Sequence, residues 1–184
     1  TTLFRSDVTY AKWDGTSWYQ SNGTAQTIPI TLANCDILDA VAQGDGANQG
    51  LVGLNAIDCD ADGNPHLVYG KNNASDWAQI YHAYHNGTSW TITALSAQAV
   101  VSSNGDENLS LMHKPEIAID KATNTIYVFY PAFGALGAWI ACHVSVVGSG
   151  IWATHSLHDT LLGYCDSLTY DRALWEDSGI LDIL

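Results

Sequence analysis

The sequence predicts an all-β protein built from repeated four-stranded antiparallel meanders. Three observations predict it. An aromatic strand followed by Asp/Asn-Gly-Thr-Ser-Trp occurs twice, as Tyr10-Ala11-Lys12-Trp13-Asp14-Gly15-Thr16-Ser17-Trp18 and as His82-Ala83-Tyr84-His85-Asn86-Gly87-Thr88-Ser89-Trp90. A strand pair around an acidic, Asn-containing turn lies between the two phrases and returns after the second. Elsewhere the apolar residues alternate, or run in short stretches bounded by Gly, Asn, Asp and Pro, which is the signature of strands.

The elements follow in order. Asp14-Gly15 and Asn86-Gly87 predict tight hairpins, because both residue types tolerate the positive φ of a type I′ turn. A weaker third copy, Val146-Val147-Gly148-Ser149-Gly150-Ile151-Trp152, keeps a Gly-rich turn and the Trp. Trp18, Trp90 and Trp152 stand 72 and then 62 residues apart. They are expected in equivalent places, each just after a turn and packed on a neighbouring sheet. The strand pair runs from Ala56 to Tyr69 around Asp60-Ala61-Asp62-Gly63-Asn64, and again from Glu116 to Tyr130 around Asp120 to Asn124. Tyr170-Asp171 through Ile183 reads as a degenerate further copy, with one helical turn at most over 171–176. One unit is thus strand, acidic turn, strand, loop, strand, Asn-Gly turn, strand. Such a meander of about 60 residues is within reach of propeller blades. The chain reads as a single segment, 1–184, with approximate units 1–50, 51–110 and 111–184.

Asp14-Gly15-Thr16-Ser17-Trp18, Asn86-Gly87-Thr88-Ser89-Trp90 and the pair Asp60 to Tyr69 resemble the BNR (Asp-box) type of β-propeller repeat. That repeat is found in sialidases and in several polysaccharide lyases. The full Asp-box has Ser or Thr two residues before its Asp, and those places here hold Lys12 and Tyr84. The resemblance covers most of residues 4–184 and specifies fold far better than function. It implies antiparallel four-stranded blades. About three units fit the chain, fewer than the four to eight blades of a usual propeller. An open array leaves strand edges exposed, which proteins avoid. Further blades or self-association are therefore expected to close the ring. The chain also lacks an initiator Met and begins and ends inside a repeat, which suggests a fragment, a processed product or a chain whose gene start is not shown.

Charge narrows the partners. The net charge is −13 with six basic residues, Arg5, Lys12, Lys71, Lys114, Lys121 and Arg172. Nucleic acid is disfavoured, because phosphate binding needs clustered Lys and Arg. Acidity instead suits solubility in an extracellular or cell-surface setting. No run of about 18 apolar residues exists, so no membrane span is expected, and residues 1–10 lack the basic and apolar regions of a signal peptide. Cys35, Cys59, Cys142 and Cys165 lack Cys-x-x-Cys spacing, which argues against zinc. They fit free buried thiols or any of three disulfide connectivities. Asn22, Asn73, Asn86 and Asn108 each start a glycosylation sequon, two of them at hairpin turns.

The residues able to carry chemistry are rich in His and Tyr. His66 is on the second strand of the middle unit, and His82 and His85 are on its third. Three residues apart, His82 and His85 face opposite sides of a regular strand, so only one shares a face with His66. His113 precedes Lys114-Pro115 at the start of the next unit. Tyr69, Tyr81, Tyr84, Tyr127 and Tyr130 are on nearby strands. The resemblance to lyase propellers implies a His base, a Tyr acid and a cation facing the uronate carboxylate, since the enediolate needs electrostatic stabilisation. By that likeness His66 or His85 is the base, Tyr84 or Tyr130 the acid, and Lys71 or Lys114 the cation. The bland alternative is half-buried, hydrogen-bonded strand residues. Sialidase chemistry needs three Arg on the substrate carboxylate, and the chain has two Arg in all. Trp13, Trp77 and Trp139, outside the repeated Trp positions, are candidate sugar platforms together with His82 and His113; the alternative is packing between blades. Asp58, Asp60 and Asp62 have the alternating spacing of a calcium loop, so calcium is a candidate cofactor. No Glu closes an EF-hand there, and a hairpin turn needs the same residues.

The expectation is an extracellular carbohydrate-recognition module, with polysaccharide or glycan as partner. The alternatives are a polysaccharide lyase acting by His/Tyr β-elimination, and a structural repeat of a surface layer or filament.

Overall fold

Both Asp/Asn-Gly-Thr-Ser phrases reverse the chain in the same way, and the rest of the architecture hangs from such hairpins. The structure is a computed structural model describing residues 7–40, 51–73, 78–96, 114–134, 137–157 and 168–183. β2 (Lys12–Trp13) pairs with β3 (Trp18–Tyr19), Trp13 opposite Trp18. β7 (Ala78–His85) pairs with β8 (Trp90–Ala94), His85 opposite Trp90. In the first loop the Asp14 carboxylate accepts from the amides of Thr16 and Ser17, both at 2.8 Å. In the second the Asn86 side-chain oxygen accepts from Thr88 at 3.0 Å and Ser89 at 2.9 Å. Sequence alone predicted a two-residue type I′ turn with positive φ at both Asp/Asn and Gly. Only Gly15 (φ 100°) and Gly87 (φ 88°) have it, while Asp14 and Asn86 do not. The loops are four residues long because the side-chain oxygen bonds the next amides, the Asx device that holds a wider turn.

The same logic builds the other hairpins. β5 (Leu51–Cys59) and β6 (Pro65–Asn72) are joined by a turn in which Asp60 Oδ1 accepts from the amides of Asp62 and Asn64. β9 (Glu116–Asp120) and β10 (Thr125–Gly134) are joined by a turn in which Asp120 accepts from the Ala122 amide and the Thr123 hydroxyl. β11 (Gly137–Val146) and β12 (Ala153–Ser156) complete that sheet. The described strands form two four-stranded antiparallel meanders, β5-β6-β7-β8 and β9-β10-β11-β12. At the N-terminal side are two-stranded pairs, β2-β3 and β1 (Val8–Tyr10) with β4 (Asp36–Asp39). The protein is all-β with blade-like sheets, as predicted.

The sheets stack face to face. One face of β5–β8 places Leu67, Tyr69, Ala83 and Trp90 against Val8, Tyr10 and Leu38. Its other face places Ala56, Val68 and Ile80 against Ile117, Ile119, Ile126, Val128, Tyr130 and Ala141 of the next sheet. The far face of that sheet, with Ala118, Phe129 and Cys142, is covered by Leu168, Tyr170 and Trp175. Covering on both faces is why β9 and β10 read as near-continuous apolar runs. Each fully buried aliphatic or aromatic side chain here contributes about 1.5–3 kcal/mol.

Trp90 and Trp152 hold matching places, each leaning on the sheet before its own. Trp90 meets Tyr10 edge-on at 5.4 Å and donates from Nε1 to Ser21 Oγ at 3.1 Å. Trp152 meets His82 edge-on at 5.0 Å. Trp18 instead leans on Trp13, at 5.4 Å. The C-terminal copy departs from expectation. Tyr170 and Ile183 do pair antiparallel, but α1 (Arg172–Ser178) between them is seven residues long, more than one turn. Asp171 caps it through the Leu174 amide, and Gly179 ends it in the left-handed conformation. These caps make a short helix hold where apolar periodicity is too brief to signal one.

Candidate functional site

Hairpin register decides which histidines meet. Across β6 and β7, His66 is opposite Tyr84 and Val68 is opposite His82. His66 and His82 are therefore diagonal neighbours on one face, within reach of each other. His66 Nδ1 lies 2.9 Å from His82 Nε2, and the His66 ring stacks on Tyr84 at 4.4 Å. One nitrogen of that pair donates, and the other must keep its lone pair. The accepting ring is thus neutral, and burial works against charge on either ring. Burial pulls the His66 pKa down, opposed by the Asp60 carboxylate. Burial, reinforced by His66, pulls His82 down to about 3.

Asp60 stands behind the pair. Its Oδ2 is 3.7 Å from His66 Nε2, close for a charge and long for a hydrogen bond. Burial pushes the Asp60 pKa up, but hydrogen bonds from the Asn64 side chain and backbone outweigh it and hold the group ionised. His66 Nε2 is left buried without a hydrogen-bond partner. A buried polar atom in that state costs about 1–3 kcal/mol.

Beside the pair a cleft of about 280 Å³ opens between β5–β8 and β9–β12. His66, His82, Tyr84, Thr91 and Thr93 line one side, and Ser145 and Trp152 line the other. Its walls combine half-buried aromatic rings with hydroxyl and imidazole groups. Such a surface offers ring faces for apolar C–H patches and neutral donors and acceptors for hydroxyls.

The other sequence-predicted residues are distributed elsewhere. His85 is on the opposite face of β7, where Nδ1 accepts from the Gly87 amide at 3.2 Å and the ring meets Trp90 at 5.1 Å. Tyr130 is buried in the core with its hydroxyl 2.8 Å from His143 Nε2, and burial raises its pKa. Lys71 pairs with Asp39 at 2.6 Å, and Tyr69 donates to the same carboxylate at 2.7 Å. Lys114 pairs with Glu116. Trp13 is half exposed on β2, and Trp139 packs against the inter-sheet core. Trp77 and His113 lie outside the described residues. Asp58 Oδ2 accepts from the Ile119 amide at 3.0 Å, joining the two large sheets, while Asp60 organises its own turn and the Asp62 amide donates to it. Among the described residues no three His, Cys, Asp or Glu side chains converge as metal ligands. Cys35, Cys59 and Cys142 are free thiols, and burial raises the Cys142 pKa to about 11. Cys165 lies outside the described residues.

The site holds residues that sequence reasoning passed over as functional. Trp152 was legible only as a repeat Trp, and Ser145, Thr91 and Thr93 carried no signal. Their place comes from stacking one sheet on another. His143 also went unnoticed, although a hairpin around 134–137 would place it diagonally from Tyr130.

Comparison with known families decides the family. Residues 2–98 match the family model described as BNR repeat-containing family member. The chain belongs to the BNR repeat-containing family. The matched residues take in both Asp/Asn-Gly-Thr-Ser-Trp loops and one wall of the cleft, from His66 to Thr93. The opposite wall, with Ser145 and Trp152, lies beyond them. Comparison with curated proteins gives no match. Among the described residues of this BNR repeat protein, no helix is long and apolar enough to cross a membrane.

Proposed function

We propose that the protein is a carbohydrate-recognition module of the BNR repeat family, acting outside the cell or at its surface on a polysaccharide or glycan. The observation that carries this reading is the cleft between β5–β8 and β9–β12, where Tyr84 and Trp152 flank neutral hydrogen-bonding groups. Its volume is at the small end of ligand pockets. Trp152 is the reporter. Titration with a panel of oligosaccharides, followed by tryptophan fluorescence, should quench wild-type emission. The same titration of Trp152→Phe should lose most of the response. A folded protein whose emission no glycan alters would end the reading.

One contact favours a second reading, a lyase cleaving uronic-acid glycans by β-elimination. His66 and Tyr84, a base and an acid of the right types, pack ring on ring at 4.4 Å. Incubation with uronic polysaccharides would then raise ultraviolet absorbance as the unsaturated product forms, and His66→Ala would abolish the rise. Absence of any rise from a protein that binds those chains leaves recognition as the function.

A further inference from the structure

We propose that the inter-sheet cleft selects a neutral sugar ring and rejects its uronic-acid counterpart. The proposal rests on the reading of that cleft as a carbohydrate site and adds the class of sugar. Cations decide it first. No Lys or Arg side chain among the described residues lines the cleft. Lys71 and Lys114 are each held by an acidic partner, Asp39 and Glu116. A carboxylate entering the cleft would give up water with no positive group to receive it, which is costly.

The local field adds to that cost. Asp60 is 3.7 Å from His66 Nε2. Burial and then the carboxylates of Asp60 and Asp62 raise the pKa of Tyr84, so their negative potential reaches the cleft wall. The histidines do not offset it. The 2.9 Å contact between His66 and His82 requires one bare nitrogen, and both rings are buried.

What the cleft does offer suits hydroxyl groups. Thr91 and Thr93 carry hydroxyls that both donate and accept, while the Ser145 hydroxyl donates to the Ile151 carbonyl at 2.7 Å. Neutral groups of this kind pair with sugar hydroxyls without desolvating a charge. A cleft of about 280 Å³ suits one ring more than a run of rings.

The test uses sugars that differ only at C6. Glucose and glucuronate, galactose and galacturonate, and mannose and mannuronate are titrated into the whole chain at pH 7.5. Binding is read from the indole N–H resonance of Trp152, assigned through Trp152→Phe. In at least one pair the neutral sugar should shift that resonance and bind about tenfold more tightly than its acid. Thr91→Lys places a cation at an exposed position of the wall, where folding tolerates it, and should remove the difference. Equal or tighter binding of the uronate by the wild-type chain would overturn the inference while leaving carbohydrate recognition standing. If no sugar moves the resonance of the folded protein, the inference and the recognition reading both fall.

Discussion

His66 Nδ1 and His82 Nε2 stand 2.9 Å apart between two stacked sheets, sharing a single hydrogen bond in a setting that favours uncharged imidazole. The pair joins adjacent strands of one sheet and meets Trp152 of the next. Protonation of both rings would place two like charges in contact, with the carboxylates of Asp60 and, more weakly, Asp58 to answer them.

Stability should therefore fall on acidification. The folded-state pKa of His82 is depressed to about 3 from an ordinary 6.5. Between those values the unfolded chain binds the extra proton and the folded chain does not, so stability is full above pH 6.5 and is lost as pH falls. The loss for such a group is about 1.4 kcal/mol per pH unit within that window. Thermal melts from pH 7.5 to 4.5 should show the decline, and His82→Gln should flatten it. An unchanged slope in that variant would assign the acid sensitivity elsewhere.

Trp90 bridges two sheets, whereas Trp13 projects from one. Trp90→Ala removes the Tyr10 contact and the bond to Ser21 and should cost about 3 kcal/mol in urea unfolding. Trp13 is 50% exposed, and Trp13→Ala should cost under about 1 kcal/mol. Equal costs would refute the inter-sheet role of Trp90.

The two repeated loops make a conservative exchange informative. Asp14 and Asn86 use the same kind of side-chain oxygen to hold the same two amides. Asn86→Asp should leave the melting temperature unchanged. Asn86→Ala should lose about 1 kcal/mol as both amides turn to water.

Asp39 collects Tyr69 and Lys71 and so fastens β4 to β6. Tyr69→Phe keeps the packing and deletes one bond to a largely buried carboxylate, which should cost about 2 kcal/mol. In an Asp39→Asn background the same change should cost markedly less. Additive costs in that double-mutant cycle would show that the bond contributes little.

Much of the fold was legible because hairpins are local. Asp14-Gly15 and Asn86-Gly87 marked two reversals, Asp60 to Asn64 and Asp120 to Asn124 marked two more, and alternation supplied the strands between them. The turn type was misjudged because Asp and Asn tolerate positive φ and also bond their own backbone, and the bare sequence does not say which happens. The helix at Arg172–Ser178 was expected as one turn at most, and its full length escaped because its stability lies in its caps at Asp171 and Gly179 and in the seating of Trp175 on the sheet.

The sequence by itself determined the strands, their order within each meander and the repeated Trp after each turn, since all follow from short-range chemistry and period. It also determined that only one of His82 and His85 could join His66, through the two-residue period of a strand. Tertiary structure decided that His82 is that partner. It decided that Lys71 and Lys114 are spent on Asp39 and Glu116, and that Trp152 and Ser145 complete a cleft begun by Tyr84 and Thr91. The two walls of the cleft are tens of residues apart and belong to different sheets. Only the burial of apolar faces between sheets brings them together, and that force acts on surface area without regard to distance along the chain.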